Sequence, residues 1–247
     1  MMRSLRMIAA VGVVSILLAA QAWAEPTIAG TTNLVAAENG GSIVAVSSQA
    51  LDANGQPVPA WSAQNLIDGK HVVGSHTPAD SYGWASQSVP SPENPEWIIF
   101  KLPQRRLITR VVVDPVTDDP EWLGRWVKNI RVSASTEGPD GPYKAIGTYV
   151  VVRQALKQSF DFVPVEAEWV KLEITSNWGS DFSVGMGEFE VYEAIVGDDA
   201  LDQLITRLST LLDELKRYRD SQRFQQAQEN LDAVIAPPAA PAGDAPQ

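Results

Sequence analysis

No cysteine occurs among the 247 residues, which removes disulfides, thiol nucleophiles, iron–sulfur clusters and cysteine-ligated zinc at once. Histidine is nearly as scarce, and with only His71 and His76 a site built on several imidazoles is excluded. Basic residues are in deficit: 19 Lys and Arg stand against 30 Asp and Glu, a formal charge of −11, and this argues against a nucleic-acid surface. Long apolar runs are missing too. The stretch from Met7 to Ala20 is uncharged and apolar but only 14 residues long, where a membrane span needs about 20. Gly-x-Ser-x-Gly, phosphate-loop and His-Glu-x-x-His patterns are absent, and acid pairs such as Asp118 and Asp119 read as solvated surface charge.

What is present begins with a leader. Arg3 and Arg6 form a basic start, the short apolar run follows, and Ala22-Trp23-Ala24 supplies the small residues a signal peptidase reads. Residues 1–24 are thus expected to be a secretory signal peptide, with a mature chain starting at Glu25 in a periplasm or outside the cell. No cysteine follows the cleavage site, so a lipid anchor is not expected. Removing two arginines moves the charge from −11 to −13, which disfavours anionic membrane surfaces.

The sequence is 45% hydrophobic, enough to bury a real core. Residues 25–40 read as a small-residue approach segment. From 41 to 195, short β-rich runs are punctuated by Gly, Pro, Asn and Asp. Trp97 to Leu102 ends at Pro103, Ile108 to Val113 ends at Asp114-Pro115, and Val127 to Ser135 alternates apolar and polar residues as a half-buried strand requires. Tyr143 to Val152, Gln158 to Val163, Trp169 to Thr175 and Glu188 to Tyr192 complete the set. Seven or more strands without an intervening long helix predict an all-β antiparallel sandwich or barrel.

After Gly197 the period changes from two to a helical one. Leu201, Leu204, Leu208, Leu211, Leu215 and Tyr218 fall at 3-4 spacing, joined by Ile205 and Leu212. Asp198, Asp199 and Asp202 crowd the start of this helix, while Lys216, Arg217 and Arg219 lie further on, in keeping with the helix dipole. Residues 198–235 are therefore expected to form an amphipathic helix with a short coiled-coil pattern. Its stripe either docks on the sandwich or meets a partner helix or a second copy through residues 201–218. Pro237-Pro238-Ala239-Ala240-Pro241 opens a tail, 236–247, expected to be disordered.

The β region resembles a known family. Asn65-Leu66-Ile67-Asp68-Gly69, Trp84-Ala85-Ser86, Trp97 to Leu102, Val132-Ser133-Ala134-Ser135 running into Gly138, Glu168 to Leu172 and Glu188 to Tyr192 occur in the order and spacing of the discoidin domain. That domain is also called the coagulation factor five/eight C-type or galactose-binding-like domain. The resemblance implies an eight-stranded jelly-roll β-sandwich that binds ligands, commonly sugars or lipid head groups, through loops at one end and catalyses nothing itself. It also implies a structural cation. The family's carboxylates transfer to Asp68 and Glu188, and its backbone carbonyls to Asn65 and Lys70, a set of hard oxygens suited to calcium. The longer loop from Lys70 to Thr77 departs from the family pattern and leaves the other ligands unassigned. In galactose-binding relatives an arginine usually follows the strand that here ends at Val113-Asp114-Pro115, and it is missing, so galactose specificity does not carry over.

Aromatic rings stack on sugar faces while polar groups fix the hydroxyls, so loop tryptophans are the useful signal. Trp84, Trp97 and Trp169 sit at the family's core positions. Of the remainder, Trp122 and Trp178 are the candidate platform, with Arg125, Asn177 and His76 as hydrogen-bonding groups; Trp126, just ahead of a strand, is expected to cover the open end of the sandwich. The function expected from these readings is a non-catalytic, extracytoplasmic module that binds a carbohydrate or glycoconjugate. A cell-envelope assembly protein, with the sandwich as head and the helix as oligomerisation element, is the alternative.

Overall fold

A computed structural model describes residues 25–70, 82–117 and 124–235. Among them nine strands precede one long helix: β1 (Thr27–Asn33), β2 (Ser42–Val46), β3 (Trp84–Ala85), β4 (Glu96–Asp114), β5 (Val127–Ser135), β6 (Lys144–Val150), β7 (Gln158–Asn177), β8 (Gly185–Met186), β9 (Glu188–Val196) and α1 (Asp198–Ile235). The main sheet runs β1-β9-β4-β7-β5-β6 with β2 added against β4, while β3 and β8 make a separate pair. All these pairings are antiparallel.

Two long strands build the sandwich. The runs on either side of Pro103 form one strand, not two. Proline has no N–H to give the ladder, yet the pairing resumes after a register shift between Lys101 and Arg106. The first half of β4 pairs with β2 and with the end of β7, and its second half pairs with the start of β7 and with β9. β7 likewise joins what read as two runs, Gln158 to Val163 and Trp169 to Thr175. β4 and β7 thus pass together from one layer of the sandwich to the other, and the bulged stretch is where they turn.

The core lies between the layers. Ile98, Phe100 and Leu102 of β4, Val170, Leu172 and Ile174 of β7, Ile130 and Val132 of β5, and Phe189 and Val191 of β9 are fully buried or nearly so. Phe100 and Phe189 stack across the layers with ring centroids 4.6 Å apart. The same alternation corrects two expectations. Because Ile98 and Phe100 point inward, Trp97 points outward, and Trp169 does so beside Val170. Both rings are half-buried on the outer face, where Lys171 lies over Trp97 at 5.6 Å and Lys101 over Trp169 at 5.8 Å. Trp84 alone of the three is core, completely buried, with its indole N–H donating to the Ser48 carbonyl at 2.9 Å.

The approach segment also belongs to the sheet. Residues 27–33 form β1 and pair with β9, Ile28 opposite Ile195. Beyond β9 the helix leaves the sandwich almost at once: Ala200 is buried and Arg207 donates to the Ala29 carbonyl at 2.9 Å. The leucine stripe, by contrast, faces solvent. No helix among the described residues is long and apolar enough to cross a membrane. The expected leader and tail lie outside the described residues.

Candidate functional site

Four segments converge at one end of the sandwich: the turns following β2, the approach to β3, the residues just before β5, and the loop between β7 and β8. Hydrogen bonds tie them. Ala50 N–H meets the Ala85 carbonyl at 2.8 Å, Tyr82 N–H meets Ala60 at 2.8 Å, and Ser86 N–H meets Val184 at 2.8 Å. The Gly124 carbonyl accepts from both Trp178 and Ser180 N–H at 3.0 Å. Gly83 permits one close approach here, for at φ +85° a Cβ there would sit 2.3 Å from the Met186 carbonyl oxygen.

A buried acid anchors this end. Glu96 is only 4% exposed, and it accepts hydrogen bonds from the hydroxyls of Ser47, Ser48 and Ser88, the latter two at 2.8 and 2.5 Å. Three donors on one carboxylate offset the cost of burying it. They also fix the positions of the two segments that carry the serines.

On this frame stands a group of aromatic side chains around Arg125. Its guanidinium carbon lies 4.6 Å from the centroid of the Trp61 ring and 5.3 Å from that of Phe182, and its Nε donates to the Ser183 hydroxyl at 2.9 Å. Trp61 in turn stacks on Tyr82, centroids 5.2 Å apart and planes 17° apart. Phe182 is 46% exposed. The arrangement holds a cation against two rings and leaves apolar ring surface open to solvent, a combination suited to a ligand with both an apolar face and hydroxyls.

Three of the five residues grouped from the sequence, Arg125, Asn177 and Trp178, are among the described residues. Arg125 and Asn177 share the 180–183 turn, but both amide hydrogens of Asn177 are used inside it, on the carbonyls of Ser180 at 2.9 Å and Ser183 at 2.8 Å. Asn177 shapes the loop. Trp178 turns the other way, packing against Val116 and the buried Trp126 and donating its indole N–H to the Val151 carbonyl at 3.2 Å. Lys128 lies 4.6 Å from its ring centroid. Trp178 is thus a half-buried cover on a small second core and stands with no platform partner among the described residues. His76 and Trp122 lie outside the described residues. Trp61, Tyr82 and Phe182 were missed because none lies in a strand whose alternation would mark an exposed face: Trp61 ends the one-turn 3-10 helix Pro59–Trp61 and the other two sit in loops; the sequence signal was Arg125, around which they gather.

The residues proposed for the cation fall together in part. Asp68 ends the short 3-10 turn Ala63–Ile67 and accepts from the Lys70 N–H at 2.9 Å. Glu188 opens β9, is 1% exposed, and its Oε1 has no hydrogen-bond partner among the described residues. Burial first, then the hydrogen bond to and the charge of Asp68, push the Glu188 carboxyl up to about 9, only partly opposed by Lys157. Asn65 donates both side-chain amide hydrogens to the carbonyls of Pro59 and Gly83, each at 2.9 Å, which pins the turn that precedes Asp68. No cluster of three or more His, Cys, Asp or Glu suited to a metal occurs among the described residues.

A bent two-layer β-sandwich with its irregular segments gathered at one end defines a loop-presenting domain of the discoidin class. The sequence model of the F5/8 type C domain matches residues 44–188, more than half of the chain, and the chain belongs to that family. No curated protein matches it. Among solved structures it is similar to the module CpGH89CBM32-5 from Clostridium perfringens, solved in complex with GalNAc-β-1,3-galactose, at 16% identity over 65% of this chain and 99% of that one, TM-score 0.49. It is similar to the family 32 carbohydrate-binding module of C. perfringens NanJ, solved in complex with galactose, at 16% identity over 68% and 100%, TM-score 0.47. Allantoicase from Saccharomyces cerevisiae matches at 16% identity over 66% of this chain but 43% of its own length, TM-score 0.49.

Proposed function

We propose that this protein is a non-catalytic carbohydrate-binding module of the cell exterior or periplasm, and that its ligand meets the Arg125, Trp61 and Phe182 group. The observation that carries this reading is the exposed Phe182 ring beside a guanidinium held over two rings. A sugar ring stacks its C–H face on an aromatic ring, and a guanidinium fixed by its neighbours donates to hydroxyls with little further loss of side-chain freedom. Screening the chain without residues 1–24 on a glycan array tests it. Binding to a defined glycan class that falls about 5- to 150-fold in Phe182→Ala, with an unchanged melting temperature, is the expected result. The magnitude is borrowed from the about 1–3 kcal/mol of aromatic stacking on nucleic-acid bases. No glycan bound, or Phe182→Ala binding as the parent does, overturns the reading.

We also propose a structural divalent cation, calcium by its donors, held by the carboxylates of Asp68 and Glu188 and the backbone carbonyls of Asn65 and Lys70. What supports it is a buried carboxylate oxygen left without a donor beside a second carboxylate. Burial and the half-buried Asp68 disfavour the charged form of Glu188, and a hard dication between the two carboxyls reverses that effect. The ion would tie the loop after the first 3-10 turns to the start of β9 and do no chemistry of its own.

A further inference from the structure

The apolar stripe of α1 has no cover among the described residues. From Leu201 to Tyr218 its large apolar side chains are each 41–64% exposed. The residues that touch the sandwich, Ala200 and Arg207, are seven apart and run along one edge of the stripe, beside Leu204 and Leu211, with the opposite edge at Ile205 and Leu212 turned away from the head. A second helix can therefore cover the stripe without displacing the head.

We propose that the occupant is the same stripe of a second copy, running antiparallel. The sequence is symmetric about the peptide between Ser209 and Thr210 in a way only that direction uses. Laid antiparallel about this centre, Leu201 meets Tyr218 of the second copy, Leu204 meets Leu215, and Leu208 meets Leu211, so each layer is apolar. The flanking positions agree. On one side Ile205 meets Leu212 and, further out, Asp198 meets Arg219; on the other, head-facing side Glu214 meets Arg207, whose guanidinium also donates to the Ala29 carbonyl. Each contact occurs twice by the two-fold symmetry, and no like charges face one another. A parallel pair keeps the leucine layers but gains only Glu214 against Arg219, and sets Arg207 beside Leu212. Charge thus selects the direction, as it does in coiled coils generally.

The area suffices. A large apolar side chain left half exposed offers roughly 80 Å². Eight such side chains in each of two copies then cover on the order of 1,300 Å², which is within the range of specific interfaces. The pairing does not depend on what the loop end bears as ligand, and it would place two heads at opposite ends of a rod formed by the paired helices.

The absence of cysteine makes the test clean. Sedimentation equilibrium of the full mature chain is expected to give twice the chain mass, and Leu208→Glu with Leu211→Glu is expected to give the single mass with an unchanged near-ultraviolet spectrum. For the direction, Leu201→Cys and Tyr218→Cys are made singly. About 25 Å of helix separates the two positions. Under mild oxidation an equilibrated mixture of the two variants should give a mixed disulfide dimer, and neither variant alone should cross-link. A single mass in the parent, a mass of three or more chains, or cross-linking of each variant with itself overturns the proposal.

Discussion

Replacing Glu188 by glutamine should have opposite effects on stability without and with calcium. In the parent without a cation, Glu188 sits nearly fully buried beside Asp68, with its carboxyl raised from 4.5 to about 9. At pH 7 the folded protein must therefore hold a proton that the unfolded chain has released. The gap between 4.5 and 7 is two and a half pH units, about 3 kcal/mol of lost stability at about 1.4 kcal/mol per unit. The glutamine side chain keeps the shape and needs no proton, but its amide is still buried with an unmet group. A gain of about 1–3 kcal/mol in chelator is expected, or roughly 2–10 °C in a chain of this length. With calcium at about one thousand times its Kd the parent gains about 4.1 kcal/mol and the variant gains none, so the order of the two melting temperatures reverses. The pH dependence has a definite direction. A raised carboxyl gives stability that is complete below 4.5 and is lost as the pH climbs toward about 9, so the parent in chelator should weaken across that window while Glu188→Gln stays flat. Melting followed by far-ultraviolet circular dichroism, in chelator and in calcium, decides it. Equal parent melting temperatures in both buffers refute the cation, and a variant less stable than the parent in chelator refutes the argument that the buried charge is a liability.

Three further outcomes can be checked on the rings and the leader. Trp84→Ala should cost about 3–5 kcal/mol in denaturant unfolding, because it empties a completely buried position and orphans the Ser48 carbonyl, whereas Trp97→Ala on the outer face should cost less than about 1.5 kcal/mol; equal losses would disprove the inward and outward assignment. Trp178→Ala should lower stability by about 1–3 kcal/mol and leave glycan affinity untouched, since the ring covers Val116 and Trp126; a binding loss at constant stability would return it to the ligand site. Mass spectrometry of exported protein should find Glu25 at the N-terminus, and retention of the apolar run would show that no leader is cleaved there.

Period and order carried most of what could be read from the chain. Val127 to Ser135 alternates because one face of that strand is core, and the structure has β5 at those residues. The 3-4 spacing after Gly197 needs only local geometry to become a helix, and α1 spans Asp198–Ile235. Family membership was legible in the same way, since the ordered motifs from Asn65 to Tyr192 are a property of the string itself.

The rest depended on neighbours far away in sequence. Pro103 looks like a stop from either side, and only pairing of β4 with both halves of β7 carries the strand through it. Trp97 and Ile98 are adjacent apolar residues, so which of them faces the core is settled by the second layer; the same holds for Trp169 and Val170. Residues 27–33 have no strong alternation and become a strand because β9 offers them an open edge. The loop end is the extreme case. Arg125 was singled out with Trp178, yet its partners are Trp61 and Phe182, 64 residues before and 57 after it. Loops have no period to betray which side chain is exposed, and whether a ring there covers the core or faces a ligand is fixed only when four distant segments are brought to one end of the sandwich.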